Sequence, residues 1–171
     1  MNLAQSPHIP AEGQKPKPKD ILWLLRYGLR GLWELVRARV IFARLEAKAI
    51  PERNRESKNH AAVQPNLGDA QLDRIIYVLP RISDRLPWRS DCLVQAVAAQ
   101  NWLSTFGAAS EIQIGVELPN DSKNGEFGAH AWLLYKERVV TGGDIAQYHL
   151  ILSDSRMKSD SDAKDGSESR N

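Results

Sequence analysis

A change of hydrophobic period near residue 107 constrains this fold more than any other feature. Before it, apolar residues recur every three or four positions, the repeat of helices that bury one side. After Gly107, Ile112, Ile114, Val116 and Leu118 alternate with Glu111, Gln113, Gly115 and Glu117, the repeat of a strand with one buried face. Helices first and strands afterwards predict an α+β fold, with the last helix packed on a small antiparallel sheet.

The N-terminal residues 1–19 are polar and contain KPKPK, the composition of a disordered tail. Asp20 is a suitable N-cap for a helix over 21–49. There Leu22, Leu25, Leu29, Leu32, Val36 and Val40 share one face, while Arg26, Arg30, Arg37 and Arg44 gather on another. Gly28 and Gly31 predict a kink or a close contact in its middle. Pro51 ends this helix, and PERNRESKNH reads as a charged loop, so 20–68 is a helical extension preceding a core over 69–152.

A second helix spans 69–79, with Leu72, Ile75, Ile76 and Leu79 on one side. A turn-rich segment lies between Pro80 and Pro87. A third helix runs from Asp91 to Thr105, its inner face formed by Leu93, Ala96, Val97 and Leu103, and Gly107 stops it. After the first strand, PNDSKNGE is a loop to a second strand over 128–135. Lys136 and Glu137 turn into a third over 138–141, broken by Gly142 and Gly143. A last short strand lies near 148–152, and 153–171 is a Ser-, Asp-, Lys- and Gly-rich tail of disordered type.

Charge and cysteine count exclude several classes. A net charge of +2 over 171 residues is too small to imply nucleic-acid binding by itself. The single cysteine, Cys92, forms no internal disulfide and cannot build a cysteine-rich zinc cluster, so no metal is assigned. No signal peptide is visible, and arginines interrupt the longest apolar stretch too often for a membrane span. These features predict a cytoplasmic protein without a transmembrane segment.

Three residues carry the candidate chemistry. In WRSDCLVQAVAAQNWL, Cys92 falls in the first turn of a helix, where free backbone N–H groups and the helix dipole favour a thiolate. Its own N–H could also support an oxyanion, whereas Asp91 next to it opposes a negative sulfur. The alternative reading is a small buried hydrophobe. In GAHAWLLY, His130 shares a strand face with Trp132 and Leu134; it is either a general base or a core histidine with satisfied nitrogens. His149 is the weaker histidine candidate. In VVTGGD, the hairpin returns Asp144 toward His130, where a carboxylate can fix the imidazole tautomer; otherwise Asp144 is an Asx turn cap. Glu137 is a carboxylate at the far end of the hairpin. Cys, His and Asp in this order and setting form a cysteine-protease arrangement.

The runs PWRSDCLVQAVAAQNWLSTFG, IQIGV and AHAWLLYKERVVTGGD resemble the transglutaminase-like core of the B proteins of lasso-peptide biosynthesis, over about residues 70–152. The segments W-R-x-x-C-L and A-H-A-W are the most specific. The resemblance implies a transglutaminase-like or papain-like core and a cysteine peptidase that removes the leader of a ribosomally made precursor. Cys92 would be the nucleophile, His130 the base and Asp144 the orienting carboxylate. Some members carry a strand-containing leader-recognition module; residues 1–68 show no such pattern. The implied partners are therefore the precursor peptide, a separate leader-recognition protein and a macrolactam-forming cyclase. ATP dependence is reported for some members, but no G-x-x-x-x-G-K is present and no cofactor is assigned. A transglutaminase-like acyltransferase or amidase would use the same residues, and a catalytically idle peptide-binding module would keep only the fold. The first helix could also act as a cationic membrane-surface anchor, or cover the core or a partner with its apolar face.

Overall fold

The structure, a computed structural model, describes residues 18–42, 49–87, 91–117 and 128–152. These form four helices, α1 (Pro18–Phe42), α2 (Ile50–Asn59), α3 (Asp69–Ser83) and α4 (Cys92–Ser104), followed by four strands. The strands are β1 (Glu111–Glu117), β2 (Gly128–Tyr135), β3 (Arg138–Thr141) and β4 (His149–Leu152), in the antiparallel order β3-β2-β1-β4. The α+β class and the order expected from the change of period are what the structure has. The expected loop at 119–126, the tail at 153–171, Arg44, Leu118 and residues 88–90 of the W-R-x-x-C-L segment lie outside the described residues, as does the N-terminal tail except its last two positions, which begin α1.

α4 is enclosed rather than laid on one face. Val94, Ala96, Val97, Ala98, Ala99, Gln100, Trp102 and Leu103 are all buried, and the helix packs on α1, α3 and β2. Apolar residues on nearly every side mark a helix inside a core. Its alanines let neighbours approach closely, and Gly31 does the same from α1: a Cβ there would lie 3.1 Å from Ile82 and 3.3 Å from Trp102. The expected close contact in α1 is therefore at Gly31, while Gly28 faces open space. Leu35 and Ala38 of α1 and Ile50 of α2 share one core cluster with Leu72, Ile75, Leu79, Leu103, Ile112 and Leu133.

Four sequence expectations need correction. α1 begins at Pro18, so Asp20 sits inside the first turn, buried, with its carboxylate accepting from Trp23 Nε1 at 3.4 Å; proline suits a first helical turn because its missing N–H would have no partner there. The charged loop expected at 51–60 is instead α2 through Asn59, with Pro51 starting it rather than ending α1. Tertiary hydrogen bonds explain α2. Asn54 is fully buried; its Nδ2 donates to Ile112 O at 2.8 Å, and its Oδ1 accepts from Ile112 N at 2.8 Å and Gln100 Nε2 at 3.1 Å. Leaving such buried groups unpaired costs about 1–3 kcal/mol each, which holds a polar helix in place. α3 continues through Pro80 to Ser83, past the expected end at 79.

The fourth correction concerns the face of α1. The expected apolar face points to solvent: Leu22, Leu25, Leu29, Val36 and Val40 are all exposed, from 38% at Val36 to 76% at Leu22. The face on the protein carries Tyr27, Gly31, Glu34, Leu35 and Ala38 instead.

Candidate active site

Cys92 is the first residue of α4, and Asp91 precedes it without a side-chain cap on the free N–H groups of that turn. Sγ is half-buried and accepts a hydrogen bond from Ala131 N at 3.3 Å. The sheet makes that amide available. β3 pairs with β2 only as far as Leu133, opposite Thr141, so the β2–β3 ladder stops two residues short of Ala131. The helix start therefore meets β2 where its neighbour has turned away.

His130 immediately precedes Ala131 and is paired with Gly115 across β1. Its Nε2 lies 2.7 Å from Gly142 O. A carbonyl only accepts, so Nε2 carries the proton and the lone pair of the neutral ring falls on Nδ1. The ring is stacked with Tyr148 (centroids 4.7 Å apart, planes at 26°) and with Trp132 (6.1 Å, 28°). Trp132 is itself fixed by donating Nε1 to Gln113 Oε1 at 2.9 Å. Two aromatic faces and one hydrogen bond thus hold the imidazole plane, and stacked contacts of this kind contribute about 0.5–1.5 kcal/mol each.

Gly142 must be glycine here. Its φ is +107°, a region that side chains rarely enter, and a Cβ would meet Trp132 Cβ at 2.4 Å. This lets the turn after β3 lie against the ring. Asp144, two residues on, is exposed, and its Oδ1 accepts from Ala146 N at 3.0 Å. Of the three predicted residues, Cys92 and His130 are brought to neighbouring backbone positions of β2, with the sulfur bonded to the amide rather than to the imidazole. The Gly-Gly-Asp turn does return to His130, but the group that meets the ring is the Gly142 carbonyl, and the Asp144 carboxylate closes the turn as an Asx cap.

The sequence reading missed Ala131, Gly142 and Tyr148. The double glycine after a strand signalled the close approach of Gly142; nothing local marked Ala131 or Tyr148. His149 lies at the start of β4, paired with Val116, and Glu137 is exposed in the turn between β2 and β3. Among the described residues, no group of three or more His, Cys, Asp or Glu side chains could hold a metal ion. No helix among them is long and apolar enough to cross a membrane. A cavity of about 510 Å³ lies between α1 and the C-terminal end of α4, beside Arg26, Arg30 and Trp102, at the opposite end of α4 from Cys92.

The class defined here is an α+β fold with a thiol at the start of an enclosed helix, set against a histidine-bearing strand of an antiparallel sheet. The chain belongs to the transglutaminase-like superfamily, whose family model matches residues 32–153. That superfamily includes cysteine peptidases and acyltransferases, and its members are usually cysteine-dependent enzymes. No curated protein and no solved structure matches the chain.

Proposed function

We propose that this protein is a cysteine peptidase that removes the leader from a ribosomally made lasso-type precursor, acting with a separate leader-recognition protein and ahead of a macrolactam-forming cyclase. Cys92 is the nucleophile, His130 the base and Asp144 the orienting carboxylate. The observation that carries this reading is the Sγ contact with Ala131 N beside a histidine whose Nε2–H is held by Gly142 O. That tautomer leaves Nδ1 free to take the thiol proton.

In the reaction, Sγ attacks the scissile carbonyl carbon as Nδ1 takes the thiol proton. The tetrahedral oxyanion accepts from the free N–H groups at the α4 start. The C–N bond then breaks, the imidazolium gives its proton to the departing amine, and a thioester remains on Cys92. Water, deprotonated by the same imidazole, attacks the thioester and releases the leader carboxylate and the thiol. Asp144 is a positioning residue in this scheme: its bond to Ala146 N shapes the turn that presents Gly142 O to the ring. An amine in place of water would give acyl transfer through the same thioester.

The test is leader removal from a lasso-type precursor by the purified chain, with and without the recognition protein, followed by mass spectrometry. A flexible leader must be held at the thiol, and a second protein that binds it raises its local concentration. The expected outcome is slow cleavage alone and at least about tenfold faster cleavage with the partner. Equal rates would place leader recognition in this chain. A product carrying an added amine would favour the acyltransferase reading.

A further inference from the structure

We infer that the outward face of α1 docks on an anionic phospholipid surface. Ile21, Leu22, Leu25, Leu29, Trp33, Val36 and Val40 are exposed. At about 100° and 1.5 Å per residue they form one continuous stripe, roughly 29 Å long, on the side of the helix opposite its core face. Its width, near 120°, is what an interfacial helix immerses, yet on this chain nothing described packs over it.

Charge selects the occupant. Arg26, Arg30 and Arg37 follow one border of the stripe, Arg30 and Arg37 also pairing with the buried Glu34 at 2.6 and 3.9 Å, and Arg39 lies on the other. The two acidic residues of α1, Asp20 and Glu34, are both buried on the protein side. Among the described side chains of α1, every exposed charge is therefore an arginine. A second copy would set like charge against like charge along both borders. A flat anionic surface satisfies both borders at once, with the arginine stems lying along the apolar boundary and their heads at the phosphates. The helix would lie on the surface and not cross it. The inference is independent of the chemistry proposed for Cys92.

The experiment is flotation of the full chain with vesicles of phosphatidylcholine alone and of phosphatidylcholine with phosphatidylglycerol. The chain should float with the anionic vesicles at least about tenfold better than with the neutral ones, and added salt should weaken the binding by screening. Leu25→Glu/Leu29→Glu alters only exposed positions and should abolish flotation with an unchanged circular dichroism spectrum and melting temperature. Arg26→Gln/Arg39→Gln leaves the stripe intact and should bind about twenty-five-fold more weakly, at about fivefold per charge. Absence of flotation, equal binding to neutral vesicles, or flotation unaffected by either variant would overturn the inference. So would a dimer in light scattering that Leu25→Glu/Leu29→Glu dissociates, or an acidic protein partner lost in that variant while flotation persists.

Discussion

At the residue scale the proposed chemistry depends on which group controls the His130 ring. The imidazole is held by Gly142 O and by Tyr148, and in the proposed mechanism Asp144 acts at one remove, through its bond to Ala146 N. Substituting the base should cost most: His130→Ala is expected to lower turnover at least about a thousandfold. Asp144→Asn keeps a side-chain oxygen able to accept from Ala146 N, so it should lower turnover less than about tenfold, and Asp144→Ala should lower it more. Turnover measured for the three variants checks this ranking. A loss in Asp144→Asn as severe as in His130→Ala would mean that the carboxylate acts on the imidazolium directly. The sequence made Cys92 and His130 visible because a helix-start thiol and a histidine inside an apolar strand are local patterns. The contact that brings Cys92 beside His130, Sγ with the Ala131 amide, depends on where the β2–β3 ladder stops, which no local pattern shows.

At the element scale α1 and α2 are the instructive cases. α3, α4 and the strands were legible from apolar spacing and from the Gly and Pro residues that bound them. α2 was not, because its helix is held by Asn54 and Ser57 reaching β1 and the residue before it: Ser110 N donates to Ser57 Oγ at 3.2 Å. A polar sequence with long-range partners looks like a loop until the partners are known. α1 was legible as a helix but misleading as to its face. Its regular leucine and valine spacing suggested a core-facing stripe, whereas the core takes the side bearing Gly31, Leu35 and Ala38, where small residues admit Trp102 and Ile82. Trp23 and Tyr27 belong to this inner side: Trp23 packs edge-on to Tyr27 and Tyr77, Tyr27 against Trp102, and Arg74 lies over both Trp23 and Tyr27.

The inner face of α1 also buries Glu34, paired with Arg30 at 2.6 Å and with Arg37 at 3.9 Å. Burial pushes its carboxyl above the ordinary range, and the two arginines only partly offset this. A raised folded value means that the folded chain keeps a proton the unfolded chain has lost. Stability therefore falls as pH rises from about 4.3, the ordinary Glu value, through the raised one. Glu34→Gln removes that penalty, so the variant should melt higher than wild type at pH 7 and level with it near pH 4. Thermal melts across this range test the sign; a lower melting temperature at pH 7 would show that the Arg30 pair outweighs the burial.

At the scale of the whole molecule, one enclosed helix does two jobs. Its buried length joins α1 and α3 to the sheet, and its first residue supplies the thiol. The Cys92 end of α4 and the outward stripe of α1 lie on different elements, so the proposed chemistry and the proposed docking can be altered separately. The proposed reaction requires the Cys92 thiol. Its most direct test is the mass of a lasso-type precursor after incubation with the recognition protein and either wild type or Cys92→Ala. Free leader is expected with wild type and, for a Cys92→Ala protein with an unchanged melting temperature, cleavage reduced at least about a thousandfold. Near-normal leader removal by Cys92→Ala would contradict this requirement.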